Sequence, residues 1–191
     1  MIISISGNQG SGKSTLAKQL AEVLGWPRYS MGLLHRDMAA SKGITLAEHN
    51  KLAETDPKID LEVDEYQKKL GETEDNFIIE GRTSWHFIPH SLKLYIKVDE
   101  AVGAQRVFLA KREGEDRDVD TVEKVQISLK NRKNNERERY LGYFGVDVYD
   151  LNNYDYVIDT TKITPGEVFS QAYGIIRERL ANESAIDKSR I

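Results

Sequence analysis

Short apolar runs and longer amphipathic stretches alternate along this chain, and the alternation begins at its first residues. Residues 2–7 read Ile-Ile-Ser-Ile-Ser-Gly, a β-branched run that stops at a glycine as a buried strand does. After the following glycines, apolar residues recur at helical spacing, at Leu16, Leu20, Val23 and Leu24. Gly25-Trp26-Pro27 then supplies a helix stop. The N-terminal part of the chain is therefore predicted to form a strand, a glycine-rich loop and a helix.

The same alternation continues towards the C-terminus. Residues 77–79 form another apolar run, residues 92–98 alternate apolar and polar side chains with period two, and residues 154–159 form a last strand. Helix-start signals stand at Thr45–Glu48, Asp56–Pro57, Asp99 and Thr164–Glu167. Strands that alternate with helices predict an α/β fold, in which helices cover both faces of a parallel sheet.

The chain is predicted to form one domain. No internal repeat, low-complexity tract or Pro/Gly/Ser linker divides its 191 residues. Residues 1–181 are assigned to this domain, with residues 44–70 as a helical insertion between two strands. Residues 182–191 are expected to be a flexible tail.

Composition and charge exclude several function classes. The 27 Lys and Arg residues and 31 Asp and Glu residues give a formal charge of −4, which offers no general attraction to DNA or to a membrane surface. No cysteine is present, which excludes disulfides and thiolate metal sites. The chain has no signal-peptide pattern at its start and no long apolar span. We therefore expect a monomeric, cytoplasmic protein with no stable nucleic-acid partner and no membrane partner.

A phosphate-binding loop follows the first predicted strand. Residues 7–14 match G-x-x-x-x-G-K-[ST] without a mismatch and lie between a predicted strand and a predicted helix. Glycines let backbone N–H groups converge on phosphate oxygens, and the helix start adds its positive dipole end. Lys13 is predicted to reach the β- and γ-phosphates of a nucleotide, and the Ser14 hydroxyl to coordinate Mg²⁺. The predicted ATP-binding residues are Gly7, Asn8, Gln9, Gly10, Ser11, Gly12, Lys13, Ser14 and Thr15.

Many protein classes share this loop, and missing signatures narrow the choice. A GTPase needs an Asn-Lys-x-Asp motif and an Asp-x-x-Gly loop, but the chain's Asn50-Lys51 continues with Leu52-Ala53 and no Asp has a Gly three residues later. The Leu-Ser-Gly-Gly-Gln signature of transporters is also missing. A small kinase is the class that remains.

A run of charged residues supplies the second candidate site. Residues 130–139 contain five Lys or Arg and two Glu and no apolar side chain. Arg132, Glu136 and Arg139 are spaced i, i+4 and i+7, so on a helix they share one face. Two guanidinium groups around a carboxylate suit a phosphate-bearing ligand whose base or sugar can donate to the acid. The same run is also compatible with a solvated helix surface that carries ion pairs.

Other charged residues stand near predicted strand ends or helices. Arg82 follows the strand at residues 77–79, where a parallel sheet faces its ligand crevice. Glu80 could act on the water shell of a metal ion or pair with a nearby Arg. Arg36 and Arg112 are phosphate-binding candidates that could equally be exposed helix residues. The four histidines show no metal-ligand spacing and are interpreted as surface or packing residues.

With these motifs, the sequence resembles the nucleoside monophosphate kinases, and among them the short archaeal-type cytidylate kinases, over roughly residues 1–170. The matching elements are the loop Gly7–Ser14, Ser30-Met31-Gly32 with Arg36, Asn50–Glu54, Asp56–Asp60, Glu80-Gly81-Arg82, Lys111–Gly114, Arg132-x-x-x-Glu136-x-x-Arg139-Tyr140 and the strand Tyr154–Thr160. The resemblance implies a P-loop NTPase three-layer sandwich with a parallel five-stranded sheet. It further implies a monophosphate-binding helical insert at residues 44–70 and a lid at residues 112–120.

The resemblance also implies an activity and a set of site residues. ATP with Mg²⁺ would give its γ-phosphoryl group to CMP or dCMP, with a small-molecule nucleoside monophosphate as the partner. The implied catalytic residues are Lys13, Arg112, Arg132 and Arg139. The implied substrate-binding residues are Ser30, Gly32, Arg36, Gly81, Arg82, Arg132, Glu136 and Arg139, with Glu136 helping to read cytosine. The metal-binding residues predicted above from the residues themselves are Ser14 and Glu80.

Two departures from the family pattern and two rival interpretations stay open. Leu33-Leu34-His35 stands where the family usually has an acidic or polar residue followed by Ile-Phe, and Asn135 replaces a common Ser. Both changes bear on base specificity. One rival is a P-loop kinase that phosphorylates a hydroxyl of shikimate or of a sugar acid such as gluconate, with Asp37 as base. The other is a nucleic-acid-binding ATPase that uses residues 130–139.

Overall fold

The computed structural model describes residues 1–53, 56, 58–110 and 120–188. Within them, five parallel strands form one sheet in the order β2-β3-β1-β4-β5. The strands are β1 (Ile2–Gly7), β2 (Arg28–Ser30), β3 (Phe77–Glu80), β4 (Leu92–Lys97) and β5 (Tyr156–Asp159). The predicted α/β class and the parallel five-stranded sheet are confirmed.

Helices connect the strands. In chain order they are α1 (Lys13–Leu24), α2 (Met31–Ser41), α3 (Leu46–Ala53), α4 (Lys58–Thr73), α5 (Ser84–Phe87), α6 (Glu100–Ala110), α7 (Val122–Phe144) and α8 (Pro165–Lys188). The insertion predicted at residues 44–70 corresponds to α3 and α4. None of the described helices combines the length and the apolar character that a membrane-spanning helix requires.

Three of the four predicted helix starts are confirmed by their hydrogen bonds, and the fourth, at Asp56–Pro57, includes Pro57, which lies outside the described residues. Thr45 Oγ1 accepts from the Glu48 backbone N–H at 3.2 Å, and Glu48 Oε2 accepts from the Thr45 N–H at 2.7 Å. Thr164 and Glu167 form the same reciprocal pair at the start of α8. Asp99 Oδ1 accepts from two N–H groups in the first turn of α6. These side chains satisfy N–H groups that a helix start leaves without partners.

Two apolar layers hold helices on opposite faces of the sheet. On one face, Ile3 and Ile5 of β1 pack with buried residues of α1 and α8, namely Leu16, Leu20, Val168, Ala172 and Ile176. On the other, Ile2, Phe77 and Ile79 pack with buried residues of α2, α4 and the turn after α5, namely Met31, Val63, Leu70 and Ile88. All six residues of β1 are buried, as expected of a central strand in a parallel sheet.

The structure differs from the sequence pattern at several boundaries. β2 has only three residues and α2 follows it directly, and neither was assigned from the pattern. The strand predicted from residue 154 begins at Tyr156, because the Tyr154 ring packs 4.8 Å from the ring of Tyr95 and its hydroxyl donates to the Val148 carbonyl. α8 continues to Lys188 and so includes part of the predicted tail. Residues 111–119, with Arg112 and most of the predicted lid, lie outside the described residues.

Candidate active site

The glycine-rich loop lies between β1 and α1, at the carboxyl ends of the strands, where parallel sheets bind ligands. Gly10 has a φ of +74°, and a Cβ built there would lie 2.3 Å from the carbonyl oxygen of Gly103 in α6. Only glycine allows this conformation together with this close approach. Lys13 Nζ donates to the Asn8 carbonyl at 2.8 Å, so the predicted phosphate-binding ammonium lies against its own loop.

A cavity of about 280 Å³ opens on one side of this loop. Its walls come from α1, α6 and the segment after β5, and they include Thr15, Gln19, Arg106, Thr160, Ile163 and Pro165. Arg106 donates to both the hydroxyl and the carbonyl of Thr160, at 3.1 and 2.8 Å. Sequence reasoning identified only Thr15 of these residues as part of a site, because no local motif marks Gln19 of α1, Arg106 of α6 or the segment after β5.

A second cleft opens on the opposite side of the loop and gathers the predicted acceptor-site residues. Its lining includes Lys13, Ser14, Ser30, Gly32, Arg36, Glu80, Gly81, Arg82, Arg132, Glu136 and Arg139. We call this cavity the acceptor cleft. Ser6 Oγ donates to the Gly81 carbonyl at 2.8 Å, which fixes the turn that carries Arg82 against the central strand. The structure thus brings the phosphate loop, the end of β3 and the charged run of α7 into one space.

Glu136 is the centre of a buried ion network in this cleft. Its Oε2 accepts from Arg82 Nε at 2.8 Å, its Oε1 accepts from Arg132 Nε at 2.9 Å, and the Tyr149 hydroxyl donates to Oε2 in a short hydrogen bond. Burial alone would raise the pKa of Glu136, but the charges of Arg82 and Arg132 hold it well below its usual range. Arg82 also donates to the Gly7 carbonyl at 2.9 Å, so the network reaches the phosphate loop.

Arg132, Glu136 and Arg139 line one cleft, but Glu136 takes its second arginine partner from another element rather than from its own helix. Arg139 was expected to flank it, but Arg82 from another element takes that place. Arg139 instead pairs with Asp60 of α4, with 3.0 Å between Nε and Oδ2, and both side chains are buried. The reason is geometric: Arg139 is nearly a turn further along α7 and faces the insert formed by α3 and α4, where it also donates to the Asn50 carbonyl at 3.4 Å.

Asp64 is a further buried polar residue of this cleft, and the sequence reasoning missed it. Asp64 Oδ1 accepts from Gln67 Nε2 at 3.0 Å and from Thr83 Oγ1 at 3.1 Å, and all three residues line the acceptor cleft. Burial raises the pKa of Asp64 to about 7, and the nearby carboxylate of Asp60 adds to the shift. The available signal was the polar series Asp60, Asp64 and Gln67 on the face of α4 that also carries the buried Val63.

The candidate metal ligands and His35 also lie at this cleft. The Ser14 hydroxyl is at the start of α1, and Glu80 Oε1 lies 3.3 Å from Arg28 Nη1, so Glu80 pairs with a nearby Arg as one interpretation expected. His35 lines the cleft and meets His49 of α3 edge to face, with 5.5 Å between ring centroids. His49 is fully buried, which agrees with its interpretation as a packing residue.

Comparisons with known proteins agree with this arrangement. The family model described as "Cytidylate kinase-like family" matches residues 2–162. The chain is 40% identical to the cytidylate kinase of Pyrococcus furiosus over 171 residues, covering 89% of this chain and 85% of that protein. It is 38% identical to the cytidylate kinase of Methanocella arvoryzae over 162 residues, covering 85% of this chain and 89% of that protein.

Solved structures share the fold at low sequence identity. An uncharacterized protein from Eubacterium ventriosum superposes with a TM-score of 0.68 at 22% identity, covering 93% of this chain and 98% of that one. The shikimate kinase of Bacteroides thetaiotaomicron gives a TM-score of 0.65 at 13% identity with the same coverage. These likenesses concern the fold, whereas the family follows from the sequence matches: the chain belongs to the cytidylate kinase-like family.

Proposed function

We propose that this protein transfers the γ-phosphoryl group of MgATP to the α-phosphate of CMP or dCMP, giving ADP and CDP or dCDP. An oxygen of the acceptor phosphate forms a bond to the γ-phosphorus while the bond from that phosphorus to the β,γ-bridging oxygen breaks. The attacking oxygen is already anionic, so no general base is required. The main task is to hold two polyanions in line. The observation that carries the proposal is the gathering of Lys13, Arg36, Arg82, Arg132 and Arg139 along one cleft.

The phosphate loop divides the donor side from the acceptor side. Its backbone N–H groups and Lys13 would bind the β- and γ-phosphates, and the cavity beside Arg106 and Thr160 would take the adenosine. On the other side, the arginines would neutralise the acceptor phosphate and the charge of the transition state. Arg82 is suited to bridge the two sides, because it contacts both Gly7 and Glu136. The catalytic role of Arg112 is proposed from the sequence resemblance.

The oxygen donors in the cleft fit Mg²⁺. Hydroxyl and carboxylate oxygens are the ligands this ion prefers, and it usually keeps several waters and binds substrate phosphates as well. Ser14 would bind it directly and Glu80 through its water shell, since both line the acceptor cleft. When bound, the ion supplies neutralisation of the phosphate oxygens.

The two rival functions are less well supported by the described residues. Asp37, the candidate base for a hydroxyl acceptor, is exposed on α2 and is not part of the acceptor cleft lining. For nucleic-acid binding the charged run would need free cations at the surface, but Arg132 and Arg139 face the cleft. Lys133 pairs with Glu100 at 2.8 Å and Arg137 pairs with Asp147.

Release of ADP from MgATP tests the proposal against a panel of acceptors. The panel holds CMP, dCMP, UMP, AMP, GMP, shikimate, gluconate and a water-only control. Fast turnover with CMP or dCMP and slow turnover with water is the expected result. Turnover restricted to shikimate or gluconate, or ATP hydrolysis that no monophosphate stimulates, would overturn the proposal.

A further inference from the structure

One oxygen of the Asp64 carboxylate has no hydrogen-bond partner among the described residues, although the side chain is buried in the acceptor cleft. Asp64 is 5% exposed, and its Oδ2 is the oxygen without a partner. Oδ1, by contrast, accepts two hydrogen bonds, from Gln67 and Thr83. A buried acceptor without a donor is unfavourable, so this oxygen is prepared for a donor that a ligand brings.

The neighbours of Asp64 fix which of its oxygens is left without a donor. Ser84 Oγ donates to Gln67 Oε1 at 2.6 Å, which turns the amide nitrogen of Gln67 towards Asp64. Thr83 donates from the other side. The carboxylate is therefore held by side chains from α4 and from the turn after β3, and its orientation is set before any ligand arrives.

The other acids of the cleft already have cationic partners. Glu136 is held by Arg82 and Arg132, Asp60 by Arg139 and Glu80 by Arg28. The family resemblance gave Glu136 a part in reading cytosine, but three donors already occupy that carboxylate. Among the described acids of the cleft, Asp64 differs in being held by the neutral donors Gln67 and Thr83 rather than by an ion pair.

Its position also suits the base rather than the phosphate of an acceptor. Thr83, which donates to Asp64, directly follows Arg82, a residue assigned to the acceptor phosphate, and all three residues line the acceptor cleft. A second anion so close to Asp64 would be repelled. A neutral base that extends from the phosphate past Arg82 could instead present its edge to the free oxygen.

We propose that Asp64 determines base specificity by accepting a hydrogen bond from the 4-amino group of cytosine, a role that rests on the proposed function. Cytosine carries an N–H donor at position 4, whereas uracil carries a carbonyl acceptor there. An ionised carboxylate accepts hydrogen bonds and cannot donate them. The ionised Asp64 carboxylate, which predominates at pH 8, therefore favours CMP and repels UMP.

The Asp64→Asn variant tests this role, since the two side chains have nearly the same shape. Gln67 and Thr83 donate to the Oδ1 position, so the introduced carbonyl belongs there and the introduced NH₂ group takes the Oδ2 position. At pH 8, the ratio of kcat/KM for CMP to that for UMP should fall by about 30-fold or more. Asp60→Asn is the matched control. It removes the charge that pairs with Arg139, so it should lower kcat/KM for CMP and for UMP by the same factor and leave their ratio unchanged.

An unchanged ratio of kcat/KM for CMP to that for UMP in Asp64→Asn, whether or not both values fall, would overturn the role of Asp64. A second measurement needs no variant: the wild-type enzyme is assayed with the 5′-monophosphate of pyrimidin-2-one riboside, which lacks the 4-amino group. Its kcat/KM should lie about 30-fold or more below that of CMP. Equal rates with the analogue and CMP would sink the inference while leaving the kinase function standing, whereas no turnover of CMP or dCMP would sink the proposed function itself.

Discussion

Arg82 and Glu136 lie 54 positions apart in the sequence, and their side chains form a buried ion pair with 2.8 Å between Nε and Oε2. Arg82 belongs to the turn after β3 and Glu136 to the middle of α7. Because Arg82 also donates to the Gly7 carbonyl, this pair joins the phosphate loop, the edge of the sheet and α7. The pair therefore holds the guanidinium of Arg82 in place before phosphates bind.

Replacing Glu136 with Gln should destabilise the protein and slow catalysis together. The variant keeps the side-chain shape but leaves the charges of Arg82 and Arg132 without a buried counter-charge, at a cost of about 3 kcal/mol. Urea unfolding measures this loss. Glu138→Gln is the matched control on the same helix, where the side chain is exposed, and it should change stability by less than about 0.5 kcal/mol. Equal stabilities of the two variants would contradict the structural role of Glu136.

Replacing Tyr149 with Phe should weaken the same network more gently. The Tyr149 hydroxyl donates to Glu136 Oε2, and the ring would keep its place near Lys133. Loss of this buried hydrogen bond to a charged group should cost about 2 kcal/mol. Tyr143→Phe is the control, because its hydroxyl makes only a 3.4 Å contact with the Ala53 carbonyl. A Tyr149→Phe variant as stable as Tyr143→Phe would show that Glu136 does not need this donor.

Local signals predicted much of the fold. β1, the phosphate loop and the capping boxes are encoded within a few consecutive residues each, so the pattern located them correctly. β2 was missed because Arg28-Tyr29-Ser30 contains no apolar run and pairs with β3 over only three positions. A short strand of this kind is defined by its neighbour rather than by its own residues.

The sequence predicted most of the charged residues of the acceptor cleft, but it did not predict which of them form ion pairs with one another. Helical spacing correctly indicated that Arg132 and Glu136 interact four residues apart. It could not show that Arg82 would be the second partner of Glu136, or that Arg139 would reach Asp60, since those pairs join distant elements. The place of Asp64 in the site was missed for the same reason, because its hydrogen-bond partner Thr83 comes from another part of the chain.

Removing the two cleft arginines of α7 should abolish most of the activity, and it should also lower the stability of the folded protein because Glu136 and Asp60 each lose a buried partner. With both Arg132 and Arg139 changed to Ala, kcat for CMP phosphorylation should fall by about 100-fold or more, since each stabilises charge in the transition state. Arg137→Ala is the control on the same helix, because its exposed side chain pairs with Asp147 outside the cleft lining. Near-normal turnover of the double variant, with its helical circular dichroism intact, would refute the assignment of these arginines.

Replacing His35 with Phe should change how stability depends on pH. Burial lowers the pKa of His35 to about 4, and the charges of His49, Arg139 and Arg132 add to this effect while Glu136 opposes it. The folded protein therefore resists protonation of His35 between pH 6.5 and 4, where the unfolded chain takes up the proton. This contribution destabilises the wild-type fold progressively as the pH falls through that window.

The comparison of His35→Phe with wild type isolates this effect from that of Asp64. The pKa of Asp64 is raised to about 7, so its contribution has the opposite sign and favours the folded state at lower pH. Because Asp64 is present in both proteins, its contribution cancels in the difference. Between pH 7.5 and 5.0, the free energy of unfolding of the variant should therefore rise by about 2 kcal/mol relative to wild type. Urea titrations at the two pH values measure that difference, and an identical difference at both would mean that His35 is protonated as readily in the fold as in the unfolded chain.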